Sequence, residues 1–203
     1  MTTLEPFGPK TGWLAVPDCS PADVAAALGM DGGEPVDCLE AVEAAEDEEN
    51  LAILPPLPGT SSSPGVGGPW TLAVGLGLAM TSAASVARWS ATLARQVQRF
   101  GTYRVTESHC WTLADRGQVL RHVAVEGERG ELVGWTGRPT PVELGLGLPD
   151  RPGIDVAEEA MRVVRAINET TVLAIAQGWS LNPDTLTGPA PGPVTLYEDV
   201  TLG

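Results

Sequence analysis

The chain has 203 residues, 43% of them hydrophobic, and carries a formal net charge of −14 at pH 7. Its length fits one globular domain, and its acidity argues against bulk electrostatic binding to nucleic acid or to an anionic membrane. Three cysteines without a Cys-x-x-Cys spacing favour reduced thiols, and the N-terminus lacks the apolar core of a signal peptide, so we expect a cytoplasmic protein.

The charge is unevenly distributed along the chain. Residues 1–87 contain twelve acids and one base, Lys10, whereas residues 88–138 contain eight arginines and five acids. Residues 139–203 are acidic again, with nine acids and three arginines. Such a pattern commonly serves solubility, and it can also offer an acidic surface to a basic protein partner.

The N-terminal half predicts short elements separated by turns. In chain order these are a strand over 12–17, a helix from Ser20-Pro21 to Leu28, an Ala/Glu-rich helix over 38–49, and strands over 51–54 and 70–75. A Pro/Gly/Ser-rich loop is predicted over 55–69. The apolar run 70–80 is too short to cross ~30 Å of hydrocarbon, so we predict no membrane span.

The segment from Ser82 to Phe100 has the strongest helical periodicity in the chain. One apolar stripe of the predicted helix contains Val86, Leu93, Val97 and Phe100. A separate polar stripe contains Arg88, Thr92, Arg95 and Arg99. We interpret the polar stripe as a solvated face or as a ridge that meets acidic groups.

Residues 103–135 alternate strand-favouring residues with turn signals at 115–117 and 127–130, and so predict an antiparallel meander. Beyond it we predict a short helix beginning near Thr140, helices over 154–167 and from Asn168 to Gln177, and a candidate edge strand over 194–197.

The predicted fold class is α+β, with an antiparallel sheet and a central β-meander packed against a long helix and C-terminal helices. Residues 12–186 form the predicted single domain. Residues 1–11 are a predicted flexible N-terminus, and residues 187–203 a Pro/Gly-rich tail.

The meander holds both histidines, and the length of the turn at 115–117 decides what they face. With a two-residue loop, Trp111 lies opposite His122, and both histidines share one face of the sheet with Trp111. With a three-residue loop, Cys110 lies opposite His122, and Trp111 lies opposite Arg121 as a cation–π pair. The residues leave both registers open.

Each register implies a chemistry. A histidine beside Cys110 favours the thiolate, which makes Cys110 a reactive-thiol candidate. Two histidines on one face can ligate a metal with Glu107 or Asp115, but the spacing matches no established site, and we predict no metal. No nucleophile elbow, phosphate loop or dinucleotide fingerprint occurs, so we predict no cofactor and favour a protein without catalytic activity.

Six tryptophans outnumber two tyrosines and two phenylalanines. Those in apolar stretches are predicted in the core: Trp13, Trp70 and Trp89. The candidates for a ligand or partner surface are Trp111, Trp135 and Trp179. The full set of candidate binding residues is Arg104, His109, Trp111, Arg121, His122 and Trp135.

Five segments within residues 12–186 carry a resemblance. They are Gly12-Trp-Leu-Ala-Val, Gln96 to Val105, Glu107-Ser-His-Cys-Trp-Thr-Leu-Ala, Pro139-Thr-Pro-Val-Glu-Leu-Gly-Leu and Gly178-Trp-Ser-Leu-Asn-Pro-Asp. Together they resemble a group of uncharacterised bacterial proteins of actinobacterial type, without established activity. The resemblance implies a bacterial cytosolic α+β domain and transfers no functional residue.

We therefore predict a non-catalytic protein-binding module, either an immunity-type protein that neutralises a toxin or an accessory subunit of an assembly. The reasons are the strong acidity, the missing catalytic motifs and the candidate surface tryptophans. The alternative is a small-molecule-binding protein or enzyme with its site on the 103–135 meander. The identity of the protein partner stays open, and a homo-oligomer is compatible with the sequence.

Overall fold

A computed structural model describes residues 3–8, 10–59, 68–150 and 157–202. In this part of the chain, nine strands form one antiparallel sheet that seven α-helices accompany, which confirms the predicted α+β class. The strands are β1 Gly12–Pro17, β2 Glu34–Val36, β3 Leu51–Ile53, β4 Trp70–Val74, β5 Gln96–Tyr103, β6 Ser108–Asp115, β7 Gln118–Glu126, β8 Glu131–Thr136 and β9 Val194–Tyr197. The helices are α1 Pro21–Leu28, α2 Cys38–Ala44, α3 Leu76–Ala79, α4 Ala83–Leu93, α5 Pro141–Gly145, α6 Ala157–Ala166 and α7 Glu169–Trp179.

The strand order across the sheet is β2-β9-β3-β4-β1-β5-β6-β7-β8. The predicted meander is confirmed as β6, β7 and β8, which end the sheet on one side. The other side ends at β2 and is assembled from strands that are far apart in the chain. One edge of the sheet is therefore built from the middle of the sequence and the other from its two outer parts.

Helices cover both faces of the sheet. On the face here called the α7 face, α2, α6 and α7 pack over a core that contains Trp13, Phe100 and Trp111. On the opposite face, the α4 face, α1, α3 and α4 pack over a core that contains Leu14 and Val97. Each large apolar side chain buried in these layers contributes roughly 1.5–3 kcal/mol. Within the described ranges, no helix is long and apolar enough to span a membrane.

Side-chain caps begin several helices where they were predicted. The side chains of Ser20 and Asn168 accept backbone N–H groups in the first turns of α1 and α7. Thr140 opens α5 with a capping box, in which Glu143 also accepts the N–H of Thr140 at 2.7 Å. These predictions are confirmed because capping depends on neighbours in sequence.

The predicted helix over 82–100 is wrong in its second half. Helix α4 ends at Leu93, and Ala94 closes it in a left-handed conformation with φ of 50°. The following residues form β5, which is paired on both sides by β1 and β6. Arg99, expected on an exposed helical stripe, therefore lies on the α4 face with 2% of its surface exposed. Pairing with two strands outweighs the helical periodicity of this segment.

The predicted strand over 194–197 is confirmed as β9, but its predicted place at the edge of the sheet is wrong. Strand β9 pairs with both β2 and β3, so it is an inner strand and β2 is the edge. The edge strand is only three residues long and contains Pro35, which is tolerated there because an edge needs fewer donors. Residues 60–67 of the predicted loop and 154–156 of the predicted helix lie outside the described residues.

Neither predicted register of the first meander hairpin is right. The loop has two residues, Arg116 and Gly117, but a β-bulge at Leu120 then shifts the pairing by one residue. Beyond the bulge, His122 lies opposite Thr112 rather than opposite Trp111 or Cys110.

The bulge assigns the reactive side chains of the meander to different faces. Alternation along β6 and β7 puts His109 and Trp111 on the α7 face, and Cys110 and His122 on the α4 face. The hypothesis of two histidines sharing one face is therefore wrong. Adjacent His109 and Cys110 point to opposite faces, as successive residues of a strand do.

Two glycines opposite each other let α3 cross the sheet closely. Gly12 of β1 pairs with Gly101 of β5. A Cβ added at either glycine would meet the backbone of Ala79, at 2.9 Å from its Cα in the case of Gly101. Because both positions lack a side chain, the last residue of α3 can lie directly on the sheet.

Candidate functional site

The candidate binding residues and Cys110 lie in three places, two of which share His109 as a lining residue. A cleft at one end of the meander is lined by Arg104 and His109. A buried cluster on the α7 face contains Trp111, Arg121 and Trp135. A cavity on the α4 face is lined by Cys110 and His122.

The cleft, here called the turn-end cleft, lies between the β5–β6 and β7–β8 turns and the α6–α7 connection. Its volume is about 690 Å³, within the roughly 300–1,000 Å³ typical of ligand sites. Its apolar wall is formed by Met161, Val164 and Ile167. Arg104 at its rim binds Glu169 through two hydrogen bonds of 2.9 and 3.1 Å. This pair is exposed, so it adds little to stability.

His109 is the buried polar side chain of the turn-end cleft. It is 7% exposed, and its Nδ1 has no hydrogen-bond partner among the described residues. Burial lowers the pKa of His109, and Glu169 and Glu107 oppose the shift. The ring is therefore neutral at pH 7, and its free nitrogen can hydrogen-bond a polar ligand.

Arg121 and Glu143 form an ion pair inside the protein. Arg121 Nε lies 2.7 Å from Glu143 Oε1, and the two side chains are 1% and 0% exposed. Trp111 Nε1 donates to the same oxygen at 2.9 Å. The guanidinium also lies over the ring of Trp135, 4.1 Å from its centroid. The cluster thus joins α5 to three neighbouring strands.

Two of the three tryptophans that were predicted at the surface are buried instead. Trp111 is fully buried and Trp179 is 2% exposed, so both lie in the core. Trp135 is half-buried and forms a cation–π pair with Arg121. The three-residue register had predicted this pair with Trp111 instead. The core positions of Trp13, Trp70 and Trp89 are confirmed.

Glu143 is the central residue that sequence reasoning missed. It accepts hydrogen bonds from a tryptophan, from an arginine and from the backbone N–H of Thr140. The sequence does contain one signal for Glu143. It lies three residues after Thr140, the position that the acid of a capping box occupies. The long-range partners had no local signal.

The cavity on the α4 face contains a chain of polar contacts. Arg99 Nη2 donates to Thr112 Oγ1 at 3.2 Å, and His122 Nδ1 lies 3.0 Å from the same oxygen. Cys110 lines the same cavity, where burial raises the pKa of its thiol and Arg99 partly opposes the shift. The thiol is therefore protonated at pH 7, which disfavours a reactive nucleophile. No metal-ligand group of three or more His, Cys, Asp or Glu side chains occurs among the described residues.

The stability of the protein should depend on the protonation of His122. Burial, followed by the charge of Arg99 and then of Arg121, lowers the pKa of His122 to about 4, and a contact with the Trp111 backbone opposes this. The unfolded pKa is about 6.5. Stability contributed by His122 is therefore complete above about pH 6.5 and is lost as the pH falls towards 4.

Between pH 7 and pH 4, the free energy of unfolding of wild type should fall by on the order of 2 kcal/mol more than that of His122→Gln. This figure allows for partial exposure of the ring. Urea denaturation of both proteins at several pH values measures this, and the contribution of His109 cancels in the comparison. Parallel pH profiles would contradict the assignment.

Exposed acids cluster at the β2 end of the sheet, on the surface here called the acidic edge. It comprises Asp31, Glu34, Asp37, Glu40, Glu43, Glu46, Asp47, Glu48, Glu49, Glu198 and Asp199, all of them exposed. The stretches 11–87 and 166–203, in which all eleven acids lie, contain no lysine or arginine. The ion pairs of Arg104, Arg121 and Arg129 lie outside this surface. Leu39 of α2 is 51% exposed within this surface.

No family model matches the chain, and no match is found among curated proteins or among solved structures. The functional proposal therefore rests on the geometry and charge described above.

Proposed function

We propose that the protein is a non-catalytic binding protein of a bacterial cytoplasm, which uses the acidic edge to bind a basic protein. An immunity protein that neutralises a toxin, or an accessory subunit of an assembly, acts in this way. The observation that supports the proposal is the concentration of eleven exposed carboxylates at one end of the sheet without an internal base.

Uncompensated like charges on one surface cost stability through mutual repulsion, and a basic partner removes that cost. Negative charge also lies at the C-terminal end of α2, where it opposes the helix dipole. Leu39, exposed within this charged surface, offers apolar area that a partner can bury. Both features favour a protein interface over a merely solvated surface.

The test compares two charge-reversal variants that have the same net charge but are altered on different surfaces. One variant changes Glu40, Glu43, Glu46 and Glu49 of the acidic edge to lysine. A control variant of equal net charge changes Glu128, Glu131, Asp150 and Asp184, which are exposed and lie outside the acidic edge. Each protein serves as bait in a lysate of the source organism, and the recovered partner is then purified for binding measurements.

We expect wild type and control to recover a basic protein in stoichiometric amount, and the acidic-edge variant to bind it on the order of 100-fold more weakly. This corresponds to roughly 0.7 kcal/mol per reversed charge. Added salt should weaken the wild-type complex in the same direction. Equal binding by both variants, or no stoichiometric partner, would contradict the proposal.

A second candidate function is small-molecule binding at the turn-end cleft. The observation that favours it is the buried, unpaired Nδ1 of His109 in a cleft of ligand size. Of the residues predicted for such a site, only Arg104 and His109 lie there. Met161 lines the same cleft, so its methyl group reports on any ligand that enters.

A further inference from the structure

Arg99 is a buried arginine without an acidic partner in the described part of the chain. Its side chain is 2% exposed and lies on the α4 face of β5. Nη1 donates to the backbone oxygens of Leu78 and Ala79 at 3.3 and 3.1 Å, and Nη2 donates to Thr112 Oγ1. Nε has no hydrogen-bond partner among the described residues. All its acceptors are therefore neutral.

The contrast with Arg121 shows why this arrangement matters. Both arginines are buried, Arg99 on β5 and Arg121 on β7, but Arg121 is neutralised by Glu143 and Arg99 is not. Desolvation of a guanidinium is repaid only in part by neutral acceptors, so an anion that reaches Arg99 gains the missing charge compensation. Nε and Nη2 also form one edge of the guanidinium, the geometry that binds carboxylates through two hydrogen bonds.

Arg99 lines a cavity of about 380 Å³ on the α4 face. The beginning of α4, at Ser82 and Ala83, lines the same cavity, and the N-terminal end of a helix favours negative charge. The acid among the lining residues, Glu126, is paired with Arg129. The electrostatic potential in the cavity is therefore suited to an anion.

The mouth of the cavity is apolar. Met80 and Val133 line it and are 65% and 64% exposed. Exposed apolar side chains of this size beside a polar cavity are typical of a ligand site, in which a few polar groups orient a mainly apolar molecule.

We infer that this cavity binds a small organic carboxylate, with the carboxylate group at Arg99 and its apolar part against Met80 and Val133. This site lies away from the acidic edge; it shares the lining residue His109 with the turn-end cleft but is centred on Arg99. It adds a small-molecule ligand to a protein that we propose to bind another protein.

The test uses the full chain with its four methionine methyl groups labelled with carbon-13. Met80 reports on the Arg99 cavity and Met161 on the turn-end cleft, so one spectrum tells which of the two is occupied. The probes are benzoate and butyrate, each beside its uncharged amide, and inorganic phosphate. We expect the two carboxylates to shift the Met80 signal in a saturable way and the amides to leave it unchanged.

Two variants separate binding from folding. Arg99→Met should abolish the shift while the protein stays folded, because it removes a buried charge without a counter-ion. Val133→Glu places a negative charge at the mouth and should weaken binding at least tenfold. Its matched control is Val105→Glu, which lies outside the cavity, is 75% exposed and should bind as wild type does.

Three results of the titration of the wild-type protein would overturn the inference. They are no saturable shift of Met80 at millimolar carboxylate, equal shifts with carboxylates and amides, and a shift with phosphate alone. A shift of Met161 instead of Met80 would place the ligand in the turn-end cleft. If Arg99→Met does not fold, the comparison of Val133→Glu with Val105→Glu decides, because both positions are exposed. Equal carboxylate binding by these two variants overturns the inference. If the charge-reversal experiment finds no protein partner, the proposed function fails, but carboxylate binding at Arg99 is still tested by this titration.

Discussion

Replacing Glu143 by glutamine should destabilise the protein by about 3–5 kcal/mol. The substitution keeps the shape of the side chain but leaves Arg121 charged, with 1% of its side chain exposed. Trp111 Nε1 and the Thr140 N–H donate to different oxygens of Glu143, and glutamine keeps only one of these two acceptors. In a chain of this length the loss corresponds to a fall in melting temperature of roughly 10 °C.

Urea denaturation measures this loss, with Glu169→Gln as the control. That change breaks the Arg104–Glu169 pair, whose side chains are 55% and 24% exposed, and should cost less than about 1 kcal/mol. The double variant Arg121→Met with Glu143→Gln should recover part of the loss, since it removes the uncompensated charge. Equal stability of the two single variants would refute the role given to the buried pair.

The second large effect is expected from Gly12→Ala. A Cβ at Gly12 overlaps the backbone of Ala79, and backbone cannot move aside as a flexible side chain can. Helix α3 must then lift from the sheet, and packing between α3, β1 and β5 is lost. Overpacking costs roughly 1–3 kcal/mol, and we expect a loss of about 3 kcal/mol here because the added Cβ meets backbone.

The matched control is Gly145→Ala in α5, where a Cβ meets nothing within 4 Å. Alanine there should be neutral or stabilising by about 0.5 kcal/mol, because it reduces the freedom of the unfolded chain. Thermal unfolding of both variants is the measurement. A Gly12→Ala protein as stable as wild type would show that α3 does not depend on the glycine pair.

The features predicted correctly from the sequence are those determined by near neighbours. Ser20, Thr140 and Asn168 cap helices with donors three residues away, so their effect is visible in a short window. The meander was predicted because turn residues separate its strands. These signals need no knowledge of the rest of the fold.

The errors concern residues whose surroundings come from distant parts of the chain. Arg99 has the spacing of an exposed helical residue, and only pairing with β1 and β6 makes it a buried strand residue. The bulge at Leu120 has no turn signature, yet it decides which face His122 occupies. The burial of Trp111 likewise depends on Glu143, 32 residues further along.

The strand order also gives the molecule an electric dipole moment. Nine strands at ~4.8 Å spacing separate the two edges of the sheet by roughly 40 Å. The acidic edge lies at one end, and the arginine-rich residues 88–138 form the half with β5 to β8 at the other. A positively charged partner exerts a torque on such a dipole and turns the acidic edge towards itself before contact, so the charge pattern should act mainly on the rate of association.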